Sequence, residues 1–418
     1  MDIPGRRGIL GAMASDHEII ILGGGIVGPS LALALVAAGR DVALVDAAPE
    51  GGDAGSDGRV YALGVGSWRM LRALGLWPAL AGDAQPIMAV KVAEARPGRA
   101  PAPVGLDYDA AELEAGVFGQ MVGDRALRAA LAGALEGQGG LRLIRGRRGV
   151  DHHADDGGVE VTLDDGQRLR AGLLVAADGR RSATAARAGN RYFRRDYAQS
   201  AITAPVAHER PHEATAHQIF FPGGPLAILP LTGNRSSIVW SLPRDQAAAL
   251  MALDEAGFTA ALAPRFGGFL GRIALAGPRQ SFPLTLSLAH DPTGPGLALI
   301  GDAAHGLHPI AGQGLNLGLR DAAALAEVAV AALRRGEDIG TPGVLERYRA
   351  WRRFDNAAFA TATDATNLIF AVDLPGLRPL RGLGLALADR VGPLRRALMA
   401  EAAGLAGDVP RLLRGEAL

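Results

Sequence analysis

Two glycine-rich stretches carry residues that suit a polar, phosphate-bearing ligand. In GDAAHGLHPIAGQGLNLGLRD, residues 301 to 321, Asp302 follows the apolar run LALI, and Gly306, Gly312, Gly314 and Gly318 lead into an alanine-rich helix. A carboxylate at that position accepts hydrogen bonds from hydroxyls, and free N-H groups at a helix start stabilise negative charge without a basic side chain. Far upstream, Gly23-x-Gly25-x-x-Gly28 precedes Asp46 by eighteen residues, counted from Gly28. Each of these glycines has a steric reason, whether a tight turn, approach of a pyrophosphate to the backbone, or close helix–strand contact.

Elements must position these residues. EIIIL reads as a buried strand, GGGIVGPS as a breaking turn that includes Val27, LALALVAAG as a buried helix closed by Gly39, and DVALVD as a second strand ending on Asp46. That βαβ context aims a helix N-terminus at a pyrophosphate, with Asp46 as acceptor for an adenosine ribose or simply as a solvated strand end. The 21 residues from Ile19 to Gly39 carry no charge, yet clustered glycines argue against a membrane span. The first loop leaves NAD and FAD open. The second favours FAD, whose ribityl hydroxyls call for a carboxylate and whose isoalloxazine ring gathers negative charge on reduction.

Composition bounds the rest. In 418 residues there are 43 Lys plus Arg and 43 Asp plus Glu, which gives no net field toward nucleic acid or an anionic surface. The absence of cysteine excludes disulfides, thiolate catalysis and iron–sulfur clusters, so redox chemistry needs a borrowed cofactor. Arg6 and Arg7 are followed by no signal-length apolar run; we expect a short mobile leader, with Met13 as an alternative start, and a cytoplasmic protein.

The chain resembles the class A FAD-dependent aromatic monooxygenases, the para-hydroxybenzoate hydroxylase superfamily, and within them the ubiquinone-biosynthesis hydroxylases. GGGIVGPSLALAL is similar to the family's FAD loop, LLVAADGRRSATAARAG to its central Asp-Gly motif, and GDAAHGLHPIAGQGLNLGLRD to its second FAD motif. DGRVYALGVGSWRMLRALGLW, DYAQSAITAPVAHERPHEATAHQIFFPGGPLAILPL and GNRSSIVWSLP suggest the ubiquinone branch. The resemblance implies that Arg59 and Arg125 lie along the cofactor and that Asp302 holds the ribityl hydroxyls. It also places Pro309, with His308 and Gly312 of the same loop, by the reactive face of the flavin. Gly314, Leu315 and Asn316 would present backbone groups to its pyrimidine edge, and Asp178 and Gly179 would sit where flavin and nicotinamide meet.

Plainer readings stand beside these. Asp302 is also a helix cap, Asn316 a helix-surface residue, Asp178-Gly179 a turn dipeptide, and Arg59 and Arg125 solvated arginines. His305 and His308 either line the site or serve structure. His152 and His153, beside Asp151, Asp155 and Asp156, lack metal-ligand spacing, and we expect no metal.

The resulting expectation is an α/β fold with a Rossmann-like FAD domain, discontinuous over 17–93, 117–195 and 280–340, and a mostly antiparallel substrate sheet over 94–116 and 196–279. C-terminal helices follow from 341 to 418. There RGLGLALADRVGPLRRALMAEAAGL, with Arg381, Arg390, Arg395 and Arg396, reads either as an amphipathic surface for a bilayer or partner or as ordinary core packing. No second GxGxxG set lies between a strand and a helix, so reduced nicotinamide is expected to visit a groove; Arg187, Arg191, Arg194 and Arg195 face a 2′-phosphate or only solvent.

The expected reaction is reduction of FAD by NAD(P)H, addition of O2 at the flavin C4a, and transfer of the terminal hydroperoxide oxygen to a polyprenylated phenol, a ubiquinone precursor. His217, Phe220, Leu229, Pro230 and Trp240 are the candidate substrate contacts. A flavin halogenase or prenyl-group reductase shares the first loop, but the halogenase Trp-x-Trp-x-Ile-Pro signature is missing and Trp240 stands alone. From another class, the chain would bind FAD only structurally within a biosynthetic complex. NAD(P)H oxidation that rises with a phenol and yields hydroxylated product separates these.

Overall fold

The computed structural model describes residues 16–49, 58–96, 105–306, 313–353 and 391–418. The charge-free run divides as its glycines dictate, into the strand His17–Leu22 and the helix Val27–Ala37. Among the described residues no helix is long and apolar enough to cross a membrane.

His17–Leu22 is the central strand of a parallel sheet ordered Leu297–Leu299, Arg168–Ala176, His17–Leu22, Val42–Asp46, Leu141–Arg145. Its apolar residues do not alternate with polar ones because both faces are covered, as in other parallel sheets. Ile19 and Ile21 join a core with the helices Val27–Ala37 and Gly314–Arg334, while Ile20 and Leu22 pack toward the meander Gly149–Asp155, Gly158–Leu163. All the glycine-bearing turns of interest leave the carboxyl ends of these strands, where open α/β sheets bind ligands.

A second sheet of nine strands is antiparallel apart from one parallel pairing, Thr215–Phe221 with Ala89–Glu94. Its spine is the 17-residue strand Tyr192–His208, paired on one side with Arg235–Pro243 and on the other with Gln280–Ala289. The boundaries expected from sequence at 93/94, 195/196 and 279/280 need correction here. Ala89–Glu94, Tyr192–Arg195 and Gln280–Ala289 are hydrogen-bonded into this second sheet, since a strand pairs along its whole length wherever a neighbour offers a ladder.

The two faces of that sheet differ. One buries Ile202, Ile219, Ile228, Ile238 and Trp240 against Phe258, Leu262 and Phe266, which the helix Glu255–Phe266 contributes. The other carries small side chains and faces a cavity. A three-stranded sheet, Val60–Gly64, Gly119–Gly123 and Gln85–Ile87, completes the enclosure. From 341 on, the described residues include the helical segment 342–353 and the helices Gly392–Ala402 and Arg411–Arg414. Arg381 and Arg390 lie outside the described residues.

Candidate functional site

Each glycine of the first loop has a different neighbour. Gly23 has φ +122°, and a Cβ there would stand 2.2 Å from the Ala177 carbonyl oxygen; one at Gly28 would stand 2.1 Å from the Gly23 carbonyl oxygen. Both are required by packing. Gly24, which the motif does not specify, is required as well, because the Asp46 carboxylate lies where its Cβ would be. A Cβ on Gly25 would meet no protein atom within 4 Å, and its space belongs to the cavity. The helix it introduces has no side-chain cap, so its first N-H groups are left for a ligand. Val27 lines the cavity and wedges behind the turn: Cβ atoms on Gly301 and Gly318 would lie 3.3 Å and 2.8 Å from its Cγ2.

That wedge brings the two motifs together. Asp302 lines the same cavity, its carboxylate 3.7 Å from the Arg180 guanidinium, with both side chains about half exposed. The helix Gly314–Arg334 also starts without a side-chain cap, and Gln313, Gly314 and Leu315 line the cavity. Asn316 is buried, and its side chain is committed to the fold. Its amide donates to the Ala62 carbonyl at 2.8 Å and accepts from the Gly64 N-H at 2.9 Å, tying this helix to the neighbouring strand. The helix-surface reading of Asn316 is therefore corrected. His308, Pro309 and Gly312 lie outside the described residues.

Behind the Gly301–Asp302 turn sits a buried charge cluster. The Asp321 carboxylate accepts from the Gly301 N-H at 3.0 Å, from Arg352 Nε at 2.7 Å and from His305 Nε2 at 2.5 Å. Burial pushes this carboxyl up, but His305 and Arg352 outweigh it and hold its pKa down to about 2. His305 therefore serves structure: its ring supports the turn that carries Asp302 and is not among the residues lining the cavity. Asp321 and Arg352 were not singled out from sequence, because a charge within an alanine-rich helix resembles a solvated face.

The arginines divide. Arg59 is exposed at the cavity wall, with its guanidinium 5.8 Å from the Phe282 ring centre. Arg125 is exposed and is not among the residues lining the cavity; one helical turn later, Arg128 lines it, held by Asp124 at 2.8 Å. Asp124 also accepts from the Tyr61 hydroxyl at 2.8 Å, and burial together with that carboxylate raises the Tyr61 phenol. Gly179, φ +83°, and Arg180 line the cavity, whereas Asp178 caps the short helix Ala183–Arg187 through Thr184. Arg187 is used on the Gly149 carbonyl, and Arg194 and Arg195 lie over the rings of Tyr192 and Tyr197.

The cavity encloses about 750 Å³ and runs from the two glycine turns to the small-residue face of the nine-stranded sheet. Of the five residues expected to meet substrate, Leu229 lines it; Phe220, Pro230 and Trp240 do not. Trp240 is 1% exposed and packs on Phe258, their ring centres 6.2 Å apart. His217 borders the cavity, but its ring lies 4.5 Å from that of Phe269, in the cross-strand row of Ile228 and Ile238. Burial, then the Lys91 charge, lower its pKa to about 4. Bulky residues fill the covered face; the open face is marked by Ala201, Thr203, Gln218, Ala227 and Ser237. The C-terminal helix turns inward: Arg395 pairs with Glu112 at 2.6 Å and Met399 packs with Ile87, Tyr108 and Phe118.

The residues present fit a dinucleotide with an extended second half. Two uncapped helix starts and a backbone stripped of Cβ at Gly25 border one channel with Asp302 on its wall. A family model described as FAD binding domain matches residues 16–362. The chain is 42% identical to ubiquinone hydroxylase UbiL of Rhodospirillum rubrum over 99% of this chain and 96% of that one. It is 36% identical to the 3-demethoxyubiquinol 3-hydroxylase of Escherichia coli over 93% and 98%. Among solved structures, the p-nitrophenol 4-monooxygenase PnpA of Pseudomonas putida superposes with a TM-score of 0.77 at 20% identity, covering 94% of this chain and 99% of that one.

Proposed function

The chain belongs to the FAD binding domain family, and on that premise we propose that it is an FAD-dependent monooxygenase. It hydroxylates the aromatic ring of a polyprenylated phenol in ubiquinone biosynthesis, with NAD(P)H as electron donor and O2 as co-substrate. The observation that carries this is the single cavity that joins the glycine turns to an apolar sheet face. When bound there, FAD supplies hydride acceptance and oxygen activation.

The chain's own residues bind, orient and exclude water. In this reading the N-H groups after Gly25 take the pyrophosphate, Asp302 the ribityl hydroxyls, and the start of the helix at Gly314 the charge that develops on the ring edge. Pro309, with His308 and Gly312, would border the reacting face. Arg180 steadies the Asp302 carboxylate until a ligand hydroxyl competes for it. The apolar walls at Ile87, Val90 and Phe118 hold water away from the ring and suit a prenyl tail.

We further propose that the exposed Val391, Leu398 and Arg396 on and beside the helix Gly392–Ala402 are where the protein would touch, from the cytoplasmic side, the bilayer in which such tails reside. The test of function is NAD(P)H oxidation by the FAD-loaded protein with a prenylated phenol. Phenol-stimulated oxidation with hydroxylated product supports the reading; phenol-independent oxidation without product overturns it.

A further inference from the structure

The floor of the cavity is written in cross-strand rows. Gln218, Ala227, Val239 and Thr203 stand side by side on four neighbouring strands. In the next row Ser237 lies between Leu229 and Pro205. All of these residues line the cavity and none is charged. The three polar ones, Thr203, Ser237 and Gln218, make no side-chain hydrogen bond to another described residue. Thr203 and Ser237 are diagonal neighbours on adjacent strands, which puts them about 7–8 Å apart.

The rows also have a direction. Thr203 is next to Gln280 and close to Phe282, the ring under Arg59 and therefore on the nucleotide side. At the other end Ala216 clusters with Ile87, Tyr108 and Phe118, and Leu229 packs against them. Thr203 thus stands at the end of the row toward Arg59, Ser237 lies one strand further in, and Gln218 closes the far end on the strand that also carries Ala216.

We propose that Thr203 and Ser237, with Gln218 across Ala227, read the oxygen substituents of an uncharged aromatic ring and so fix which ring carbon is presented. This rests on the functional reading above and names the ring it accepts: a neutral phenol with its apolar tail toward Ala216 and Phe118, and not a benzoate. Neutral hydroxyls and an amide exchange hydrogen bonds with a phenol or ether oxygen at little desolvation cost, whereas a carboxylate set on these rows would lose its hydration among neutral groups, since the cavity's arginines, Arg59, Arg128 and Arg180, belong to other elements than these four strands.

The experiment uses the FAD-loaded full chain with ortho-prenylphenol and, as its carboxylated counterpart, prenylated para-hydroxybenzoate. Binding is read from the absorbance change of the oxidised flavin, and coupling from hydroxylated product per NAD(P)H consumed. The double variant Thr203→Val, Ser237→Ala should weaken phenol binding about tenfold, lower coupling or change the hydroxylated position, and leave FAD affinity unchanged, with Thr203→Ser restoring the wild-type values. Wild type should bind the phenol at least tenfold more tightly than the benzoate. Unchanged phenol affinity, coupling and position in the double variant would overturn the assignment, as would equal affinity for the benzoate. Should wild type bind the phenol with this variant dependence yet form no product, the floor assignment stands and the hydroxylase reading fails.

Discussion

The two ends of the cavity are made by opposite means. At the nucleotide end, space and charge come from backbone: a Gly25 without a Cβ, two uncapped helix starts, and a turn held from behind by Asp321. At the sheet end they come from side-chain size, with Ala, Ser and Thr on one face of strands whose other face carries Ile and Trp. The difference teaches where substitutions should act. Side chains added at the backbone sites should cost either packing or cofactor binding, and the sheet end should tolerate many at the expense of volume.

The comparison is sharpest where charge supports backbone. Asp321→Asn removes the carboxylate that pairs with the fully buried Arg352 and accepts from Gly301. Removing the charge of one partner of a buried ion pair costs about 3–5 kcal/mol, so thermal unfolding should show a large loss, and FAD affinity should fall with the turn. Unchanged unfolding would mean that this end is not held by charge.

The sheet end is broken by exchanging sizes across its two faces. Ile238→Ala, on the covered face, should cost about 2–5 kcal/mol through the cavity it leaves. Ala227→Leu, on the open face, should leave unfolding nearly unchanged while abolishing phenol binding. If both substitutions destabilise alike, the faces are not distinct.

The nucleotide end was legible in sequence because its requirement is the absence of a side chain, and glycines at fixed offsets after a strand are conspicuous. The parallel sheet and the second turn at Asp302 followed from them. The sheet end was not. Choosing Phe220, Pro230 and Trp240 followed residue character, but size does not say which face a strand residue takes or whether it reaches the cavity: Trp240 packs in the core against Phe258, and Phe220, on the side of Gln218, is buried without lining the cavity. The informative signal was the small residues at alternate positions, Ala201, Thr203, then Ser237, Val239, which sequence alone cannot distinguish from an exposed face. Arg128, which lines the cavity and was not singled out, lies one helical turn from Arg125, and the Asp321–Arg352 pair joins residues 31 positions apart across separate helices.

Within the first loop two glycines make the same contrast. Gly25→Val puts its side chain into open space, so the apoprotein should unfold as before while FAD affinity falls about 100-fold, roughly 2.7 kcal/mol. Gly28→Ala drives a methyl onto the Gly23 carbonyl oxygen and should destabilise the apoprotein itself. Isothermal titration with FAD and thermal unfolding of both apoproteins would separate the two roles.

The smallest effect concerns His217, which sits between the ends and belongs by its ring contact to the covered face. Its pKa is about 4 in the folded chain against 6.5 for the free side chain, with burial the larger cause and Lys91 the next. The neutral ring is therefore the folded form. Above pH 6.5 neither state takes up a proton and His217 is neutral to stability. As pH falls from 6.5 toward 4 the unfolded chain binds a proton that the folded chain refuses, and stability is lost. Each pH unit in that window costs about 1.4 kcal/mol, so the loss is roughly 2 kcal/mol by pH 5. His217→Gln removes the titration, and the difference between variant and wild-type unfolding free energies should open below pH 6.5 and level off near pH 4. A difference that stays flat across the window would place the ring in water, on the cavity side, and would return His217 to the substrate floor.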